Sequence, residues 1–179
     1  HLCCYHWGDY LWAARCCPLS SLNGSGIMTT SISFNCLPFE KLSLQELYDS
    51  MALRQEVFVV EQNCPYLDAD GKDEAGHHLL GYNTDGKLMA YTRLLPPGIS
   101  YPDYASIGRV VTSPSARRTG AGKILMRESI GWCARLYGEV PIKISAQVYL
   151  THFYESFGFE KVGAEYLEDD IPHVGMVLG

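Results

Sequence analysis

The stretch I-G-R-V-V-T-S-P-S-A-R-R-T-G-A-G-K, residues 107–123, decides the fold. It begins with a β-branched run, 107–112, which predicts a buried strand. Pro114 then breaks the strand, because proline has no N–H to give to a ladder. From Gly120 to Tyr137 the apolar pattern is helical. A strand, a glycine-bearing turn and a helix N-terminus together favour an anion, because the first helical N–H groups are unpaired and the helix dipole is positive there.

Three cations lie beside these glycines, namely Arg117, Arg118 and Lys123. Glycines alone would favour an ordinary strand-to-helix connection, but the cations and the preceding strand favour a phosphate site, since arginine can hold a phosphate with two parallel bonds. The spacing excludes a nucleotide P-loop, which closes on Gly-Lys-Ser/Thr, and it excludes the dinucleotide fingerprint. What remains is the pattern R-x-x-G-x-G.

Length and charge restrict the class of protein. The chain has 179 residues, of which 47% are hydrophobic and 19% charged, as expected for a soluble globular domain. No apolar run approaches the ~20 residues of a membrane-spanning helix. The formal charge of −6 argues against nucleic acid as a partner. A local basic site in an acidic protein instead indicates a small anionic cofactor.

The first 27 residues differ from the remainder. They hold four of the seven cysteines and end in a linker-like Ser/Gly segment. We expect 1–27 to be a disordered leader that precedes the native start at Met28, and 28–179 to form a single domain. A metal-binding Cys/His arm is the alternative, although its spacings match no standard site. The remaining three cysteines contain no C-x-x-C, so we expect reduced thiols in a cytosolic protein.

The elements alternate between strands and helices. A capping box, Ser43 to Glu46, predicts a helix that extends to Phe58, and two further helices are predicted over 120–137 and 149–157. The predicted strands are 32–37, 77–82, 88–95, one that ends at 112, 142–146, 160–166 and 172–178. This order predicts an α/β fold, with a mixed central sheet flanked by helices.

Two motifs resemble the GNAT superfamily of acetyl-coenzyme-A-dependent N-acetyltransferases. R-x-x-G-x-G is similar to its pyrophosphate loop, and F-Y-E-S-F-G-F (153–159) is similar to the family segment with a tyrosine four residues before a glycine. The closer resemblance is to the ElaA-type branch. It is carried by L-R-Q-E-V-F-V-V-E-Q-N-C-P-Y (53–66), D-A-D-G (68–71), I-G-R-V-V (107–111) and E-D-D-I-P-H-V-G-M (168–176). The resemblance implies a mostly antiparallel sheet of about six to seven strands, acetyl-coenzyme A as co-substrate and no metal.

The resemblance also implies roles for particular residues. Tyr154 would be the general acid for the departing thiolate, with a core tyrosine as the alternative. Gln147 stands where many members have an asparagine that contacts the cofactor. The remaining cofactor-binding residues would be Val110, Val111 and Thr112 through their backbone, and Arg117, Arg118, Thr119, Gly120, Ala121, Gly122 and Lys123 around the pyrophosphate.

The acceptor side carries six carboxylates between residues 56 and 74. If they face the cleft they would attract a cationic amine, whereas a solvated acidic loop is the ordinary alternative. Arg54 and Arg109 have apolar neighbours and need acidic partners, with Glu56 and Glu61 as candidates. His77 and His78 point to opposite faces of a strand, so they cannot share a metal. The predicted substrate-binding residues are Glu61, Asp70, Arg109 and His173.

We therefore expect transfer of an acetyl group to a primary amine by direct attack. A longer-chain acyltransferase is an alternative, because Arg54 to Phe58 with Asp68 and Asp70 faintly resembles acyl-homoserine-lactone synthases. A coenzyme-A-binding sensor without turnover is another. The expected partner is a small-molecule or peptide amine in the cytoplasm, without nucleic acid or membrane, and a homodimer remains open.

Overall fold

Seven strands form one open sheet in the computed structural model, which describes residues 31–179. The strand order is β1-β2-β3-β4-β5-β7-β6. The bounds are β1 Ser33–Pro38, β2 His77–Tyr82, β3 Leu88–Leu95, β4 Ala105–Thr112, β5 Ile142–Gln147, β6 Glu160–Glu168 and β7 Ile171–Leu178. The predicted fold class is confirmed. The predictions for the leader 1–27 fall outside the described residues.

Within residues 31–179, no helix combines the length and apolar character needed to cross a membrane. The three α-helices are α1 Leu44–Arg54, α2 Ala121–Tyr137 and α3 Thr151–Glu155.

The sheet opens where β4 and β5 separate, and the site depends on this opening. These two strands are parallel, whereas every other neighbouring pair is antiparallel. The parallel connection is made by α2, as parallel strands require a crossover. Only Ala105 with Ile142 and Ser106 with Lys143 pair before the strands separate. The edge of β4 that faces β5 therefore carries N–H and C=O groups without a strand partner beyond Ser106.

A bulge interrupts β4 in the same region. Its register with β3 shifts between Tyr91 and Arg93, and Arg109 has a positive φ of 53°. Positive φ is uncommon for a residue with a Cβ, and bulges of this kind redirect a side chain next to functional sites. Here the bulge directs Arg109 toward the cleft wall.

The first helix changes its winding before it ends. The predicted capping box is present: Ser43 N–H donates to Glu46 Oε2 at 2.8 Å, and Glu46 N–H donates to Ser43 Oγ at 3.2 Å. After α1 the chain continues as a π-helical segment, Gln55–Glu61. The sequence predicted the helix but not this widening, which is frequent at functional sites. The segment brings Phe58 and Glu61 to the cleft.

Glycines in the left-handed conformation end or begin the other helices. Gly120, with φ of 89°, is the N-cap of α2, and Gly158, with φ of 92°, follows α3. The predicted helix 149–157 is longer than α3, because Val148–Leu150 forms a 3-10 turn in front of it. The predicted contact after the glycine is present, since Phe159 is buried in the core.

The long helix α2 covers one part of this core. Its residues Met126 and Cys133 pack against the buried side chains of β4 and β5.

Candidate active site

A cleft of about 830 Å³ opens where β4 and β5 separate. Its α2 end is marked by Thr112 and Arg117, and its paired end by Ser106 and Lys143, where the strands still pair. Residues 106–112 of β4 connect the two ends, so the cleft runs along roughly 20 Å of strand.

The α2 end combines a helix N-terminus with cations. The first backbone donors inside α2 are Lys123 and Ile124, which both bond Gly120 O. The amides of Ala121 and Gly122 precede them and belong to the free N-terminal groups that attract anions. Arg117 lines the cleft, and the exposed Arg118 and Lys123 lie on the same turn. Thr119 instead donates its hydroxyl to Ala116 O at 2.7 Å, which fixes the turn.

Arg117 already has an anionic partner in the π-helical segment. Its two terminal nitrogens lie 2.7 and 2.8 Å from the two carboxylate oxygens of Glu61. The hydrogen bond from Arg117 lowers the pKa of Glu61. Both side chains are about 40% exposed, at 40% and 43%, so solvent screens the pair. Glu61 was predicted on the substrate side, and the structure places it against the predicted pyrophosphate residues.

The middle of the cleft combines the free edge of β4 with Tyr154. Val110, Val111 and Thr112 line the cleft beside this edge, and Gln147 lines it from β5. Tyr154 also lines the cleft although only 6% of it is exposed. Its ring meets Phe153 and Phe159 edge-on, so it packs in the core at the wall of the cleft. Burial raises the pKa of Tyr154 to about 12.

The paired end is built on a network of three arginines and three aspartates. Arg54, which is 1% exposed, binds Asp68 at 2.7 Å and Asp73 at 2.8 Å. Arg93 binds Asp70 at 2.7 Å and Asp73 at 3.0 Å. Arg109 completes the network, with Nε 2.7 Å from Asp68 and Nη2 3.3 Å from Asp70.

The arginines and aspartates of this network neutralise one another's charges. Burial by itself would raise the pKa of Asp70, but the hydrogen bonds from Arg93 and from the Lys72 amide hold it well below its usual value. The pKa of Asp73 is lowered in the same way, with burial opposed by hydrogen bonds from Arg54 and Arg93. Three positive and three negative charges cancel, so the network carries no net charge. The acidic partners of Arg54 and Arg109 are therefore these aspartates, not Glu56 or Glu61.

Two lysines at the paired end stand outside this network. Lys143 Nζ lies 4.8 Å from the ring centroid of Tyr101 and 5.5 Å from that of Tyr104. Lys72 Nζ lies 3.3 Å from Ser100 Oγ. Among the described residues, neither lysine has a carboxylate oxygen within 4.0 Å of its Nζ. Sequence reasoning missed both lysines.

The hairpin between β6 and β7 closes the paired end from the other side. Ser145 on β5 donates to Glu168 at 3.0 Å and contacts the Tyr166 hydroxyl at 2.5 Å. His173 lines the cleft, stacks on Tyr166 and hydrogen-bonds Ile171 O through Nδ1 at 2.8 Å. The alternation of Lys143, Ser145 and Gln147 along one face of β5 was the sequence signal that would have found this surface.

The two strand histidines contribute nothing to the cleft surface. His78 is buried, with its ring nitrogens 2.7 Å from the Tyr91 hydroxyl and 3.0 Å from Asp73 O. His77 lies on the opposite face, 3.3 Å from the Tyr137 hydroxyl. Among residues 31–179, no group of three or more His, Cys, Asp or Glu side chains is arranged to hold a metal ion.

Comparison with known proteins identifies relatives over most of the chain. A family model for the acetyltransferase (GNAT) domain matches residues 44–179. Protein ElaA of Escherichia coli strain K12 is 42% identical over 147 residues, which cover 81% of this chain and 95% of that protein.

Solved structures agree with this match. The crystal structure of an acyl-CoA N-acyltransferase from Pseudomonas aeruginosa has a TM-score of 0.79 and 44% identity, and covers 83% of this chain and 100% of its own. The crystal structure of Escherichia coli ElaA has a TM-score of 0.76 and 40% identity, with 82% and 99% covered.

Proposed function

The chain belongs to the GNAT superfamily of acyltransferases, in its ElaA-type branch, and from this premise we propose that it transfers an acetyl group from acetyl-coenzyme A to a primary amine by direct attack. The observation that carries the proposal is the cleft between β4 and β5. It combines a helix N-terminus with adjacent cations, a free strand edge, a tyrosine in its wall and a polar paired end. The co-substrate supplies an acyl carbon activated as a thioester.

The α2 end fits the pyrophosphate of coenzyme A. Arg117 offers a planar fork that already holds a carboxylate with two parallel bonds, and a phosphate presents similar oxygens. Gly120, Ala121 and Gly122 supply backbone N–H groups at a positive helix end. Arg118 and Lys123 add charge around the same turn. These residues, together with Thr119, are the proposed pyrophosphate site.

The free edge of β4 fits the chain that links the pyrophosphate to the sulfur. β4 is paired with β3 on one edge, and the backbone groups of 110–112 that point to the other edge have no partner in β5, so these groups are available to an amide-bearing ligand. An N–H group at this edge is also suited to hold negative charge on the carbonyl oxygen as the amine attacks. Gln147 lines the opposite wall and would contact the same ligand.

Tyr154 is proposed as the general acid, with its hydroxyl hydrogen-bonded to the sulfur as the C–S bond breaks. With a pKa of about 12 the hydroxyl is protonated at neutral pH, as a general acid must be. A thiol has a pKa of about 8.5, so complete transfer of the tyrosine proton to the thiolate is unfavourable by itself. The hydroxyl therefore acts mainly as a hydrogen-bond donor to the developing charge, and water restores any lost proton.

The proton leaving the amine has no base among the network aspartates. All three aspartates are held by arginines, and the lowered pKa of Asp70 and Asp73 makes these two carboxylates weak bases. We propose that Asp70 and Arg109 form a fixed wall of the acceptor site and that the nitrogen passes its proton to water. His173, on β7, is proposed to contact the acceptor from the opposite wall.

Thiol release from acetyl-coenzyme A tests the proposal. A panel of amino acids, aliphatic diamines, aminoglycosides and peptide N-termini is offered to the full chain, with butyryl- and octanoyl-coenzyme A in parallel. We expect amine-dependent release that is fastest with the acetyl donor. Faster release with the longer donors would make the chain a longer-chain acyltransferase, and tight coenzyme A binding without release from any donor would make it a sensor.

A further inference from the structure

The charges at the paired end divide into those that hold the fold and those that are free to meet a ligand. The arginines 54, 93 and 109 and the aspartates 68, 70 and 73 neutralise one another. The charged side chains that line this end outside the network are Lys72, Lys143, Glu168 and Asp169. Two lysines and two carboxylates thus remain to select the acceptor.

The environment of Lys143 holds its ammonium in place without neutralising it. The rings of Tyr101 and Tyr104 meet edge-on at 87° and both lie within 5.5 Å of Nζ. Aromatic rings attract a cation through their quadrupole and leave its charge and N–H donors available. A lysine fixed in this way is suited to bind an anion from the cleft.

Lys72 is directed to the same surface. Its Nζ contacts Ser100, the residue that precedes Tyr101, so both ammonium groups border one short loop. Lys72 and Lys143 are half-buried and line the same cleft. Two like charges that border one loop, neither of them in an ion pair among the described residues, favour a negatively charged ligand group beside them.

Further along β5, a serine holds a carboxylate. Ser145 is two residues beyond Lys143 on β5, about 7 Å away along the strand, and it donates to Glu168. Gln147 follows on the same face, and with Tyr154 it lines the middle of the cleft. Along β5, Lys143 thus comes first, then the serine that holds Glu168, and then Gln147 beside Tyr154.

We propose that the acceptor is an amine that carries a carboxylate close to its nitrogen, as a free amino acid does, with Lys143 and Lys72 binding the carboxylate. This inference rests on the proposed acyltransferase function and names its substrate class. The nitrogen then points along β5 toward Ser145 and the thioester site. Simple diamines, which lack the carboxylate, are poor acceptors on this view.

Paired acceptors that differ in the carboxylate alone test the inference. L-phenylalanine is compared with phenethylamine, and L-lysine with cadaverine, by thiol release from acetyl-coenzyme A. We expect the kcat/KM of the amino acid to exceed that of its decarboxylated partner by about 10- to 100-fold, the factor of a hydrogen bond to a charged group. Equal values, or better turnover of the decarboxylated amines, would overturn the inference.

Variants of the lysines assign the effect to its source. In Lys143→Gln the ratio of kcat/KM between L-phenylalanine and phenethylamine should collapse toward one, mainly through KM, and Lys143→Arg should restore part of it. Lys72→Gln should lower the same ratio, as a second and independent test. Lys87→Gln removes an exposed lysine in the β2–β3 turn, and it should keep the wild-type ratio. A preserved ratio in both Lys143→Gln and Lys72→Gln, with unchanged melting, contradicts the assignment.

Calorimetry separates this inference from the proposed function. L-phenylalanine and phenethylamine are titrated into the full chain saturated with coenzyme A, which requires no turnover. Preferential binding of the amino acid supports the carboxylate site even if no thiol is released. Thiol release confined to amines without a carboxylate would leave the acyltransferase intact and remove this inference.

Discussion

Glu61→Gln should tighten binding of coenzyme A, because Glu61 occupies the arginine fork that is proposed to receive the pyrophosphate. In the free protein both terminal nitrogens of Arg117 bond the Glu61 carboxylate. A phosphate that binds Arg117 must first displace this carboxylate. The variant keeps the shape of the side chain and removes its charge, so Arg117 is released without a change in packing.

The size of the gain follows from the exposure of the pair. Both side chains are about 40% exposed, at 40% and 43%, and ion pairs of this kind contribute about 0.2–1 kcal/mol. At 1.4 kcal/mol for each factor of ten, the dissociation constant of coenzyme A should fall by about 1.4- to 5-fold. Arg117→Glu should do the reverse, since it places two carboxylates where the phosphate binds.

Isothermal titration calorimetry with coenzyme A measures both variants at low and high salt. The gain in Glu61→Gln should shrink with added salt, since salt screens exposed charges. Glu139→Gln is the matched control, because Glu139 follows the C-terminal end of α2, a helix of 17 residues and therefore about 25 Å long. Unchanged or weaker binding in Glu61→Gln, with the control at wild-type affinity, would refute the competition between Glu61 and the pyrophosphate.

Three further predictions concern the tyrosine, the ionic network and its response to pH. Tyr154→Phe should lower kcat by roughly 10²–10⁴ with little change in the affinity for coenzyme A. Steady-state kinetics with saturating amine decide the point, and a wild-type kcat would leave Tyr154 a core residue only. Asp68→Asn removes one partner of the buried Arg54 and should destabilise the fold by about 3–5 kcal/mol, measured by urea unfolding. The exposed Asp103→Asn is its control, and equal stability of the two variants would contradict the network. Acid should destabilise the protein in two stages, because the unfolded chain takes up the protons first. Burial lowers the pKa of His78, so the free energy of unfolding first decreases as pH falls through about 6.5. The folded pKa of Asp70 is also lowered, so a second decrease begins at about pH 4. Urea unfolding between pH 8 and 3 measures both stages, and constant stability over that range would oppose the prediction.

Local patterns were sufficient to predict most of the fold. The strands His77–Tyr82 and Leu88–Leu95 were predicted with the bounds that the structure gives, because their side-chain periodicity and the turn between them are local signals. The capping box and the glycine after α2 were also local signals. The short helix was predicted too long, since a 3-10 turn has nearly the same apolar spacing as the first turn of an α-helix.

The arrangement of the site needed contacts that are distant in sequence. Arg109 pairs with Asp68 across 41 residues and Arg117 pairs with Glu61 across 56, and neither separation has a recognisable spacing. The sequence predicted that Arg54 and Arg109 need acidic partners, but not which of the six carboxylates serve. The assignments of Asp70, Arg109, His173 and Tyr154 to chemistry stay predictions, and the structure places all of them on the cleft wall.

The self-neutralised network has a consequence for how this protein changes over evolutionary time. The residues that pair their charges around β4 differ from those proposed to choose the acceptor. A substitution at Lys143 or Lys72 alters the charge that a ligand meets without breaking an ion pair of the frame. With the roles proposed for the two lysines, single mutations can change acceptor preference while every ion pair of the frame stays intact, so relatives with the same frame of arginines and aspartates need not share a substrate.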